Sequence, residues 1–331
     1  AKVKLEKQTP EKRRENMSEE KTQVQNARKD LDILNKMKNL PGGLVIIPLV
    51  IAVVLATFVP QVFQIGGYVT ALFYEGNACM MGFFLIVCGS MIDIKQVGMP
   101  LYKGVIMTGT KFLLGVIVGL VVGKICGPEG FLGIAPFVLI ATITNSNGSL
   151  YISLSSQFGN ATDTGAISIL SLNDGPFFTL IALGATGLAN IPIKSLIAVL
   201  VPLLIGFIWG NLDKGFRDAC KTAQPIVTFF MTISIGAKTD IKTILTAGAS
   251  GIVLGLISAA TAVIFFFVIN LLLPKKERNA MGAAIGTTAL NSAMTPAAVA
   301  EADPSMEGMV SMATAQCATA SIITLFLCPF I

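Results

Sequence analysis

The sequence predicts an all-α polytopic membrane protein of ten transmembrane helices in a 5+5 inverted repeat, with helices four and nine broken near their centres. Three observations predict it. Apolar residues make up 53% of the 331 positions and charged residues only 13%, with a mean hydropathy of +0.74, a balance foreign to ordinary soluble chains. Runs such as Leu44 to Phe63 and Gly251 to Leu273 carry no charge and are long enough to cross a hydrocarbon layer roughly 30 Å thick. Third, Gly89-Ser-Met-Ile-Asp-Ile-Lys95 is echoed 147 residues later by Gly236-Ala-Lys-Thr-Asp-Ile-Lys242, each closing an apolar stretch. Five spans fall in that interval, and copies separated by an odd number of crossings face opposite sides of a membrane. Inverted repeats mark secondary transporters, whose substrate site lies where the copies meet near the bilayer midplane.

Residues 1–43 form a charged extension expected in the cytoplasm; residues 1–40 hold 11 of the 24 Lys and Arg and 7 of the 19 acids. Val24, Ala27, Leu31, Leu34 and Met37 recur at helical spacing, predicting an amphipathic helix on the surface. Met17 offers a second start, which would leave residues 1–16 foreign to the native chain. No cleavable signal peptide is expected behind so long a charged stretch. The first repeat, 44–187, reads as spans 44–63, 68–92, 98–123, 131–158 and 164–187. The second, 195–331, reads as 195–212, 222–238, 244–273, 279–301 and 307–330, with Pro202 matching Pro48. The Asp-Ile-Lys motifs read as loop-entry caps and interfacial anchors. Glycine, at 32 residues, fits close helix approach in lipid.

Charge sets the orientation. With the N-terminus inside, eight cations fall on inside loops (Lys95, Lys103, Lys214, Arg217, Lys221, Lys275, Lys276, Arg278) and four outside (Lys124, Lys194, Lys238, Lys242). The positive-inside rule then places both termini in the cytoplasm. Because the basic residues lie in the extension and short loops, the net charge of +5 does not describe a nucleic-acid surface. Six cysteines without a C-x-x-C pair and the absence of histidine leave little for disulfide, zinc or triad chemistry.

Polar residues interrupt spans four and nine: Thr142-Ile-Thr-Asn-Ser-Asn-Gly-Ser149 and Thr287-Thr-Ala-Leu-Asn-Ser-Ala-Met-Thr-Pro296, with Thr142, Asn145 and Ser146 matching Thr288, Asn291 and Ser292 at an offset of 146. Pro296 donates no backbone hydrogen bond and Gly148 weakens the helix, so freed backbone groups must find side chains, water or a ligand. Half-helices that meet at such breaks aim N-terminal dipole ends at a cavity, which suits an anion. A bland reading also stands, in which Ser and Asn make packing contacts. Lys111 in span three, Asp174 in span five and Glu301 late in span nine are ionisable residues in or near apolar spans, costly unless they face a cavity or partner. Asp174 is the candidate proton carrier or a buried partner of Lys111; Glu301 is a second carrier or an interfacial residue.

These residues resemble those of the 2-keto-3-deoxygluconate permease family of bacterial sugar-acid:proton symporters, from about Asn39 to Ile331. The likeness is carried by Pro41-Gly-Gly43 with Pro48, Thr110-Lys111, Asn147-Gly148 with Leu150-Tyr151, and Ser171-Leu172 with Gly175-Pro176. It continues through Gly206-Phe207 with Gly210-Asn-Leu-Asp213, and Thr295-Pro296 with Ala300-Glu301. The resemblance implies proton-coupled import of 2-keto-3-deoxygluconate across the bacterial inner membrane. It also implies a fold related to bile-acid sodium symporters, in which spans four and nine cross at their breaks. A core of 98–187 and 244–331 would move against a panel of 44–92 and 195–238. The chain departs from the family pattern at Ser146-Asn-Gly-Ser149, where Thr-Asn-Gly-Gly is usual, and at Asn173, where an acid can stand one position before Asp174. Sodium-coupled relatives carry an acid and a glutamine where Gly286 and Leu290 stand here, which favours protons.

The expected activity is therefore import of a small anionic sugar acid by alternating access, with no cofactor beyond a coupling proton. Substrate would meet Asn145, Ser146, Asn147, Ser149, Asn291, Ser292, Thr295 and Lys111; Asp174 and Glu301 would carry the proton. A sodium-coupled organic-anion symporter of the same fold is one alternative, an intramembrane enzyme or sensor another. The expected surroundings are a lipid bilayer and no nucleic acid, with the oligomeric state left open.

Overall fold

Helices dominate the described residues because nearly every segment is an apolar run punctuated by Gly, Pro or Asn. The structure is a computed structural model that describes residues 31–40, 43–92, 98–239 and 241–331, with the side chains at 38, 149, 156, 157, 174 and 244 outside that description. The extension up to residue 30, both Asp-Ile-Lys aspartates at 93 and 240, and Pro41 and Gly42 of the Pro-Gly-Gly signature also lie outside it.

The helices are α1 (Ile33–Asn39), α2 (Gly43–Phe58), α3 (Gly67–Phe73), α4 (Asn77–Met91), α5 (Met99–Cys126), α6 (Pro136–Thr144), α7 (Gly148–Phe158), α8 (Ala161–Gly165) and α9 (Ile167–Leu170). They continue as α10 (Phe177–Thr186), α11 (Ile193–Leu212), α12 (Lys214–Gly236), α13 (Ile241–Leu272), α14 (Met281–Ala284), α15 (Thr295–Ala302) and α16 (Val310–Leu327). Short 3₁₀ turns at Ser171–Asp174 and Leu290–Met294 matter for the site.

Among the described residues four helical stretches are long and apolar enough to cross a membrane, namely Met99–Cys126, Ile193–Leu212, Ile241–Leu272 and Pro304–Phe330. Two bent pairs, Gly67–Phe73 with Asn77–Met91 at 55° and Ala161–Asn173 with Phe177–Thr186 at 58°, raise the number to six. Physical reasons separate this from ten. The 16 residues of α2 reach about 24 Å; α12 opens on Lys214, Arg217, Asp218 and Lys221. The fourth and ninth expected spans are each divided, into α6 and α7 and into α14, a 3₁₀ turn and α15.

The long helices are inside-out relative to those of a soluble protein. On α5, Val105, Leu113, Ile117, Val121 and Ile125 are exposed, while Lys103, Gly104, Thr108, Lys111, Gly115 and Gly119 are buried. An apolar outer stripe over a small and polar inner face is what a lipid-facing helix needs. Between α4 and α11, glycine sets the spacing: a Cβ at Gly206 would overlap the Ile86 carbonyl, one at Gly210 would crowd Ser90, and one at Gly89 would overlap the Leu203 carbonyl. Helices α2, α4, α11 and α12 pack on one another; α13 lies along α16 and α5 along α6. The Ser171–Asp174 turn and α15 touch α4, and the Leu290–Met294 turn touches α12.

Candidate functional site

The site is built from two helix interruptions. Helix α6, buried along its whole length, stops at Asn145, whose backbone is extended. Asn147 restarts the chain as the N-cap of α7, its side-chain oxygen accepting from Leu150 N at 3.0 Å, the standard use of Asn at a helix start. In the second interruption α14 ends at Ala284, residues 287–289 have no regular structure, with extended backbone at Ala289, and α15 begins at Thr295 with Pro296 in its first turn, where a missing N–H does no harm. Gly286 is forced by proximity, since a Cβ there would overlap Ala262 of α13.

The two interruptions are bonded to each other. Asn145 Oδ1 accepts from Ala289 N at 3.0 Å while its Nδ2 donates to the Asn173 carbonyl at 2.9 Å. Asn147 N donates to Thr287 Oγ1 at 3.3 Å. Helix α16 supports the second interruption from behind: Ser321 Oγ donates to the Ala289 carbonyl at 2.8 Å, and Thr288 N to Thr324 Oγ1 at 3.2 Å. Lys111, fully buried on α5, donates through Nζ to the carbonyls of Ile285 and of Thr287, the latter at 3.0 Å.

Several buried polar atoms at this junction have no hydrogen-bond partner: Ser146 Oγ, both side-chain atoms of Asn173, and Thr288 Oγ1. Leaving such a group unpaired costs about 1–3 kcal/mol, so the cluster favours an occupant that can bond to it.

The structure therefore brings most of the sequence-derived set together. Asn145, Ser146, Ser292 and Thr295 are buried; Asn147 and Asn291 are half-buried. Ser292 lies 3.4 Å from the Ser321 hydroxyl. Asp174 ends the 3₁₀ turn that begins at Ser171, while its side chain and that of Ser149 lie outside the described residues. Glu301 is exposed near the end of α15.

Sequence reasoning missed Asn173 as a site group, although it flanks Asp174, and missed Ser321 and Thr324. With Cys317 these lie three and four residues apart on α16, a spacing that places small polar groups on one helix face. It also put Lys103 in an inside loop, and this is corrected: Lys103 is fully buried in α5. Its Nζ meets Asp163 at 2.6 Å and Glu277 at 2.8 Å. Asn279 adds a bond to Asp163 at 2.6 Å, and Thr162 one to Glu277 at 2.8 Å. The Lys103 bond, followed by those of Thr162 and Asn160, holds the Glu277 carboxyl down at about 2.

The chain is similar to known permeases over most of its length. A family model described as 2-keto-3-deoxygluconate permease matches residues 34–331. The chain is 45% identical over 294 residues to 2-keto-3-deoxygluconate permease 1 of Salmonella typhimurium, covering 89% of this chain and 92% of that one. It is 30% identical over 298 residues to the 2-keto-3-deoxygluconate permease of Bacillus subtilis, covering 88% and 90%. An Escherichia coli protein of the same name is 29% identical over 311 residues, covering 91% and 93%.

Proposed function

The chain belongs to the 2-keto-3-deoxygluconate permease family, and from that premise we propose that it imports 2-keto-3-deoxygluconate, or a closely related sugar acid, with protons by alternating access. Its relatives are named as permeases and not as enzymes. On this reading the chain is a multi-pass protein of the bacterial inner membrane with both termini in the cytoplasm. Residues 44–187 and 195–331 are inverted five-span repeats. A core of 98–187 and 244–331 moves against a panel of 44–92 and 195–238.

One observation carries the reading. Two interrupted helices meet through Asn145 and Thr287, and unpaired polar atoms of Ser146, Asn173 and Thr288 are buried beside them. A sugar acid offers a carboxylate and several hydroxyls, which match a mixture of donors and acceptors near two half-helix ends. Asn145, Ser146, Asn147, Ser149, Asn291, Ser292 and Thr295 form the proposed polar lining, and Lys111 supplies positive charge. Asp174 is the first residue to test as proton carrier. Glu301 ranks behind it because it stands exposed near the end of its helix.

The test is uptake of labelled 2-keto-3-deoxygluconate into proteoliposomes with an imposed pH gradient in sodium-free buffer. Accumulation that collapses with a protonophore is expected. Accumulation driven only by sodium would move the assignment to a sodium-coupled symporter, and the absence of uptake across a panel of hexonates and ketoacids would refute it.

A further inference from the structure

Lys111 is a fully buried cation with an unusual set of partners. Its ammonium donates to the Ile285 and Thr287 carbonyls and lies 5.3 Å from the centre of the Phe265 ring. Among the described side chains no carboxylate stands within ion-pair distance of it, since the ion pairs all belong to Lys103. The titratable group that interacts with it electrostatically is the Cys328 thiol, on the turn after α16. Tyr151 of α7 spends its hydroxyl on the Asp163 carbonyl and the Met107 sulfur.

The carbonyls are available because the helix is interrupted. In a continuous helix the Ile285 carbonyl would accept from Ala289 N, but that N–H is bonded to Asn145 Oδ1. The Gly286 carbonyl, which lies between them, accepts from Ser258 Oγ at 3.3 Å. Ile285 and Thr287 thus present carbonyl oxygens toward α5, with an aromatic face alongside. Carbonyls freed in an interrupted helix, and aromatic faces, are the groups that hold cations in low-dielectric surroundings.

We propose that the Lys111 ammonium is a built-in cation. It fills a carbonyl seat that a free alkali cation would otherwise occupy, so the junction keeps its shape and its positive charge without sodium. This deepens, and rests on, the reading of the junction as the substrate site. The tethered charge serves the incoming carboxylate at a distance while its hydrogen bonds remain on the protein.

Lys111→Ala removes three methylenes and the ammonium, which is the outline of n-propylammonium. Thermal unfolding of the purified protein is compared in choline, sodium and n-propylammonium chlorides at equal ionic strength. The wild type should melt at one temperature in all three. Lys111→Ala should melt several degrees lower in choline and recover in sodium or propylammonium. Lys111→Met, which fills the space without the charge, should stay low in all three salts. A sodium-dependent shift in the wild type overturns the proposal, and so does Lys111→Met melting like the wild type. Lys111→Ala that no cation restores also overturns it. If Lys111→Ala cannot be purified, the wild-type and Lys111→Met results decide. Substrate is absent from these measurements, so a failure to find sugar-acid uptake would refute the transport reading without touching this result.

Discussion

Asn145 and Ala289 stand 144 positions apart, and the side-chain oxygen of the first accepts the backbone N–H of the second at 3.0 Å. That bond closes one interrupted helix onto the other. The same amide also donates to the Asn173 carbonyl at 2.9 Å, so one side chain fixes three segments. An amide is suited to this because it presents an acceptor and donors on one planar group.

Asn145→Ala should therefore weaken the fold as well as the site. It leaves the Ala289 N–H and Asn173 carbonyl without that partner, a loss of about 1–3 kcal/mol for a buried group. Thermal unfolding should show the drop, and uptake should fall with it. A variant with wild-type melting would mean that the bond holds nothing.

Ser146→Ala should separate binding from stability. The Ser146 hydroxyl is buried and has no hydrogen-bond partner, so its removal relieves an unpaired group and should leave unfolding unchanged or slightly improved. If the hydroxyl serves the substrate, KM for uptake should rise by about tenfold, the equivalent of one lost hydrogen bond. An unchanged KM would remove Ser146 from the lining.

Asp174→Asn should abolish accumulation driven by a pH gradient while exchange of bound substrate remains measurable. Asp174 directly follows Asn173, whose carbonyl is held by Asn145, so a charge change there lies next to the junction in the chain. Accumulation equal to that of the wild type would exclude Asp174 as the carrier.

Gly206→Val tests the packing of α11 on α4. A Cβ at Gly206 would overlap the backbone carbonyl of Ile86, and a carbonyl cannot rotate aside as a side chain can. Overpacking of this kind costs about 1–3 kcal/mol or more, read as a lower melting temperature. An unshifted melt would show that the helices separate freely at this point.

The breaks were legible because Asn, Ser, Gly and Pro in the middle of an apolar run cannot be reconciled with an uninterrupted helix in lipid. The lipid-facing stripe of α5 was legible from hydropathy for a related reason. The partners of these residues were not. Asn145 reaches Asn173 and Ala289 through long-range contacts that no local spacing records, and Asn173 reads in the sequence only as a departure from an acid, while in the fold its side chain is buried without a hydrogen-bond partner. Lys103 was misplaced because it follows Pro100 closely, where a boundary is natural. Its carboxylate Asp163 lies 60 residues away, and only tertiary packing brings them together.

The network around Lys103 makes a pH prediction whose sign follows from its half-buried member, Glu277. Its carboxyl is held at about 2, against an ordinary 4.5, by the bond from Lys103 first and those from Thr162 and Asn160 next. A lowered pKa in the folded state means that the unfolded chain binds more protons between these values, so stability rises with pH there. The contribution is complete above about pH 4.5 and fades as the pH falls toward 2. Glu277→Gln lacks it at every pH. The wild type should melt higher than Glu277→Gln at neutral pH, and the two curves should converge on acidification through this window. Lys103 would still have Asp163 at 2.6 Å, so the variant should fold. A constant gap down to pH 2 would mean that the carboxylate charge adds nothing and that Glu277 acts through packing alone.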